Sequence, residues 1–314
     1  MQGGSRKGSR PKEIMQGDSH KRSYAEETMS HGKVKEAFAQ ALFVAAAGIS
    51  ILAVALICVF LFANGVPAIA QIGLPDFLLG TTWRPANDIY GIFPMIVGSV
   101  YVTAGAIIVG VPTGLLCAIF LSRFANGKAA SFLKSGVELL AGIPSVVYGF
   151  FGLVVIVAFI RNTMPGRGLS LLAASVLLGI MILPTIITVA QSALDAVPRK
   201  YYEGALALGA NHERAVFRVI VPAATSGIMA GIVLGIGRAI GETMAVIMVA
   251  GNQAVIPGSI FEGVRTMTAN IVLEMGYAAD LHREALIATG VVLFVFILVI
   301  TTLFNVITKR GEAK

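Results

Sequence analysis

Tyr202-Glu203-Gly204-Ala205-Leu206-Ala207-Leu208-Gly209 is a polar interruption between two long apolar segments, followed by a second run that stops at Pro222. Pro198 suits the first turn of a helix, Gly209 a left-handed C-cap, and Asn211 the cap of a following helix. The spacing predicts two short helices joined by a tight turn. Between two membrane segments such a module has little use unless a soluble partner docks on it.

The flanking composition is that of a bilayer protein. Hydrophobic residues make up 56% of the chain and charged residues 13%, against the roughly quarter-charged balance of soluble domains. Crossing about 30 Å of hydrocarbon takes roughly 20 apolar residues. Six runs meet that length: Ala41–Val66, Met95–Leu121, Leu139–Ile160, Leu169–Ala193, Ala223–Gly251 and Ala285–Ile307. The fold class read from them is all-α, a polytopic membrane protein of about six transmembrane helices.

Basic residues gather on one side of these spans. Arg6, Lys7, Arg10, Lys12, Lys21, Arg22, Lys33 and Lys35 precede the first, Arg123, Lys128 and Lys134 follow the second, Arg199, Lys200, Arg214 and Arg218 follow the fourth, and Lys309, Arg310 and Lys314 end the chain. The positive-inside rule then places both termini and the Glu203 loop in the cytoplasm. The net charge of +7 reads as topology and lipid contact, and no basic stripe with interleaved aromatics points to nucleic acid. The expected organisation is a disordered tail over 1–36, the first span and outer loop over 37–94, a membrane core over 95–308 with the polar loop at 194–222, and a short tail over 309–314. Cys58 and Cys117 both lie in apolar spans, and His20, His31, His212 and His282 are scattered as solvated side chains, so no metal site is expected.

Inside the spans, Pro112, Pro144 and Pro184 each remove a helical hydrogen bond and should bend their helices. Gly231, Gly235, Gly237 and Gly241 leave a groove for a neighbouring helix. Arg238 and Glu242 are costly there, since a charge at mid-bilayer costs at least about 2.5–3.5 kcal/mol. Four residues apart they share a helix face. They are either a self-compensating pair, or Arg238 lines a polar path and offers its donor fork to an oxyanion while Glu242 holds it when the path is empty. Ser145 and Thr243 are candidate hydroxyl donors on that path, or packed against a neighbouring helix.

The loop resembles the coupling motif of ABC-importer permeases. Glu203, Ala205, Gly209 and Pro222 match it, Val219 and Val221 stand in for the usual Ile and Leu, and Gly204 replaces the middle alanine. Asn87–Gly91, Glu138–Gly149 and Gly237–Val246 resemble the PstC-type permease family of phosphate importers, with the similarity running from about Ala39 to the end. The resemblance implies a type I importer fold and four partners: a homologous PstA-type permease, a PstB-type ATPase dimer docked on the loop, a PstS-type extracytoplasmic binding protein, and phosphate itself. No Gly-x-x-x-x-Gly-Lys-Ser/Thr loop occurs, so ATP and Mg are expected on the partner ATPase, with no cofactor and no catalytic residue in this chain. Three alternatives stay open: a permease for another oxyanion, a secondary anion transporter, and a receptor or scaffold without transport.

Overall fold

The structure is a computed structural model that describes residues 12–312, and the chain divides into two units, Met1–Phe60 and Leu61–Lys314. In the first unit the described residues open the helix α1 (Lys12–Ile72). Leu42, Phe43, Ile49, Leu52 and Leu56 are exposed along it, as hydrocarbon contact permits, because lipid tails are as apolar as leucine. The tail expected to be disordered is helical from Lys12. Residues 1–11 of that tail lie outside the described residues.

The second unit holds the end of α1, then α2 (Leu74–Leu79) and an antiparallel hairpin of β1 (Trp83–Arg84) and β2 (Ile89–Tyr90), with Trp83 opposite Tyr90. There follow α3 (Phe93–Ile119), extended by a π-turn over Phe120–Phe124, α4 (Gly127–Gly142), α5 (Ser145–Phe151), a second π-turn over Gly152–Val157, and α6 (Ala158–Thr163). After α7 (Leu171–Asp195) come α8 (Arg199–Ala207), α9 (His212–Ala215), a third π-turn over Val216–Ile220 and α10 (Val221–Ala223). The chain closes with α11 (Thr225–Gly241), α12 (Met244–Val249), α13 (Met267–Glu274) and α14 (Asp280–Glu312).

Among the described residues, five helical stretches are long and apolar enough to cross a membrane: Phe38–Ile72, Phe93–Phe124, Ser145–Thr163, Leu171–Asp195 and Asp280–Phe304. A sixth is a bent pair, His212–Ala223 and Thr225–Gly241, at 69°. Two expected spans are corrected. The third starts at Ser145 and not Leu139, because α4 buries no side chain and ends before Pro144. The fifth starts at Thr225 and its helix stops at Gly241, where Glu242 is extended.

The helix at the centre is α7, with Leu177, Leu178, Met181, Ile182 and Ile186 fully buried. Glycines bring its neighbours close. On α3 an added Cβ at Gly105 would run into Ser175 Oγ and one at Gly110 would meet Ile182 at 2.7 Å. On α11, Gly231 and Gly235 face Val189 and Ile186 of α7, whereas Gly237 and Gly241 have nothing within 4 Å. The expected four-glycine groove is therefore two glycines on the packed face and two on the open one. The helix is continuous through Pro112 and Pro184 in α3 and α7.

Candidate functional site

The two interrupted spans lie side by side. Pro144 has no N–H for the Leu140 carbonyl four residues back. Tyr148 Oη supplies the missing donor at 2.8 Å and ties α5 to the end of α4. Gly149 lets α12 approach, since a Cβ there would meet Met248 Sδ at 2.6 Å and Ala245 Cα at 3.0 Å. Gly152 makes the same close approach to Val249. Ser145, the first residue of α5, is half-buried.

Glu242 does not hold Arg238. Its Oε1 accepts from the N–H groups of Thr243, at 3.1 Å, and Ala245, at 3.3 Å. The carboxylate thus serves the first-turn donors of α12, which a helix cannot satisfy internally. Its backbone carbonyl accepts from Thr268 Oγ1 of α13 at 3.1 Å. Thr243 Oγ1 donates to the Gly241 carbonyl at 3.2 Å. The structure has no ion pair between Arg238 and Glu242 among the described residues. Arg238 is exposed on the same face as Leu234 and Gly241. An arginine on the open face of an apolar span is too costly to meet lipid and calls for a protein surface or a water-filled path beside it.

The polar loop folds as its sequence predicts, with Pro198 immediately before α8 instead of inside its first turn. Gly209 takes φ +87°, a conformation that side-chain-bearing residues avoid, and Asn211 Oδ1 accepts from Arg214 N–H at 2.9 Å at the head of α9. Glu203, Gly204 and Pro222 are exposed and Ala205 is half-buried. Around them Leu208 is 91% exposed, and Tyr201, Leu206 and Phe217 also face outward. Acidic and apolar groups are thus displayed together on a structured loop.

A third cluster escaped the sequence reading. Glu274, 7% exposed, receives Trp83 Nε1–H at 2.9 Å and Arg265 Nη1–H at 2.6 Å, and bonds His282 Nε2 at 2.9 Å. Arg265 also donates to the Asn252 carbonyl and to Asn270 Oδ1. One carboxylate so joins the hairpin, the segment before α13, α13 itself and α14. Beside it, burial and a bond to Asp88 push the Tyr90 phenol up to about 12, keeping it neutral. His282 is therefore not a solvated histidine, and neither is His212, whose ring nitrogens bond the Tyr202 hydroxyl and the Arg123 carbonyl. The signals available were an acid ending an apolar run at Ile271–Glu274 and the single tryptophan of the chain.

Residues 110–312 match the protein family described as "Binding-protein-dependent transport system inner membrane component". The chain is 38% identical to a probable ABC transporter permease protein, YqgH, of Bacillus subtilis, over 85% of this chain and 89% of the relative. It is 34% identical to the phosphate transport system permease protein PstC of Mesorhizobium japonicum, over 82% of this chain and 85% of the relative. In structure it is similar to a chain of the MetNI methionine ABC transporter, with TM-score 0.54, 20% identity and coverage of 70% and 94%. A chain of a bacterial alginate ABC transporter, in complex with its alginate-bound periplasmic protein, gives TM-score 0.56 at 15% identity, covering 83% and 93%.

Proposed function

This chain belongs to the family of binding-protein-dependent transport system inner membrane components, and we propose that within it the protein is the phosphate-conducting permease subunit of an ATP-driven importer. The observation that carries an oxyanion cargo is Arg238, a permanent cation on the open face of a membrane span whose planar donor fork suits a tetrahedral oxyanion. Relatives named as phosphate permeases support the same choice. A second, homologous permease of PstA type covers that face and completes the path. A PstB-type ATPase dimer docks on the loop around Glu203 from the cytoplasm, where both termini also lie. A PstS-type binding protein delivers phosphate from the other side. ATP and Mg belong to the ATPase, and this chain holds no cofactor.

Movement of the docked ATPase tilts the helices between outward- and inward-facing states, and phosphate passes Arg238 in between. The anion must be attracted without being trapped, since conduction needs release as well as entry. Because Glu242 is occupied with α12, it shapes the break in the span and leaves Arg238 free to meet the anion.

Two measurements test this reading. Glu203→Ala is expected to weaken co-purification of the ATPase by about tenfold, the loss of one charged hydrogen-bonding group at a buried contact, while the membrane core stays folded. An unchanged yield of ATPase would remove Glu203 from the dock. In proteoliposomes with all partners, excess sulfate should leave uptake of radiolabelled phosphate unchanged. Full competition by sulfate would reassign the cargo to oxyanions in general.

A further inference from the structure

The end of α3 packs on the polar loop through an apolar cluster that includes Ile119, Leu121, Val216 and Ile220, and within that contact one side chain, His212, makes hydrogen bonds to both. The last carbonyls of a helix have no donor of their own, and at the π-turn that ends α3 the Arg123 carbonyl lies 3.1 Å from His212 Nε2, on the first residue of α9. The other ring nitrogen, Nδ1, lies 2.8 Å from the Tyr202 hydroxyl on α8. A carbonyl can only accept, so Nε2 carries the proton, and in the neutral ring Nδ1 accepts from Tyr202. The imidazole also stands edge-on to Phe124, with centroids 4.8 Å apart, and Phe124 leans on Phe217 at 6.4 Å. Arg123 Nη2 in turn donates to the Leu194 carbonyl at the end of α7.

The chain itself connects the loop to α7 at one end and to α11 at the other. To α3 it has no such connection. We propose that His212 is the positioning residue through which movement of the coupling loop reaches α3, by holding α8, α9 and the Arg123 carbonyl together as one body. The inference rests on the loop being the ATPase dock. Without the imidazole the loop still presents Glu203 and Leu208, so the ATPase still binds and turns over. The end of α3 then loses its fixed register with the loop, and hydrolysis proceeds without a completed transport step.

The test is import and ATP hydrolysis measured together on the full complex in proteoliposomes, for wild type, His212→Ala and His212→Gln. Glutamine puts an amide N–H near the place of Nε2 and so keeps the bond to the Arg123 carbonyl. The expected result is that His212→Ala retains its ATPase subunits and hydrolyses ATP, but imports at least about fivefold less phosphate per ATP, the lower end of typical coupling between sites. His212→Gln should restore the ratio. An unchanged ratio in His212→Ala, loss of the ATPase subunits from it, or a glutamine variant no better than alanine would each overturn the inference. A wild-type complex without ATP-dependent import would overturn the functional reading, and the inference with it.

Discussion

Replacing Arg238 with glutamine is expected to reduce phosphate uptake by roughly ten- to a hundredfold, because hydrogen bonds to a charged group contribute about 1.5–3 kcal/mol and each 1.4 kcal/mol is a factor of ten. Glutamine keeps most of the length and some donor capacity, and removes the charge and the fork. The effect belongs to the path and not to folding, since Arg238 is exposed and forms no ion pair with Glu242. Co-purification of the ATPase and the second permease should be unaffected. Arg238→Lys, which retains the charge without the planar fork, should fall between the two. Wild-type uptake by Arg238→Gln would assign the charge to the contact between permeases, with no part in conduction.

The second large effect is on stability. Glu274→Ala removes the acceptor shared by Arg265, His282 and Trp83, and it strands the Arg265 guanidinium, whose side chain is 18% exposed. Breaking a buried pair by deleting one partner costs about 3–5 kcal/mol, more than the pair contributes when whole, because an uncompensated charge stays behind. The purified variant should unfold at a clearly lower temperature than wild type in the same detergent. Glu274→Gln, which retains acceptor capacity for Trp83, should lose less. Equal melting of wild type and Glu274→Ala would mean that water enters the cluster and that it does not join the four segments.

The sequence made some of this legible and hid the rest for physical reasons. The polar loop could be read because its signals are local: Gly209 at a left-handed turn, Asn211 capping the next helix, and the spacing from Glu203 to Pro222. The apolar runs could be read because hydropathy is additive along the chain. The breaks at Gly142–Pro144 and Gly241–Thr243 could not, since a few extended residues inside an apolar run leave its hydropathy almost unchanged while redirecting the helix. Pro144 was a sign of the first, but Pro112 and Pro184 carry the same sign inside continuous helices. The role of Glu242 stayed hidden because four-residue spacing pairs it with Arg238 only on an unbroken helix.

Long-range partners were beyond reach in the same way. Trp83 and Glu274 are 191 positions apart, and His212 and Arg123 are 89 apart. Nothing in the local pattern of either pair selects the other. Each became visible once the hairpin, α13 and α14 were brought together at one face, and the loop and the end of α3 at the other.

This chain is expected to conduct phosphate only as part of an ATP-driven complex. The most direct test is uptake of radiolabelled phosphate into proteoliposomes holding the second permease, the ATPase and the binding protein, with and without this chain. ATP and a proton gradient are supplied separately. Uptake should need this chain and ATP and ignore the gradient. Uptake driven by the gradient without ATP would contradict this and make the protein a secondary transporter.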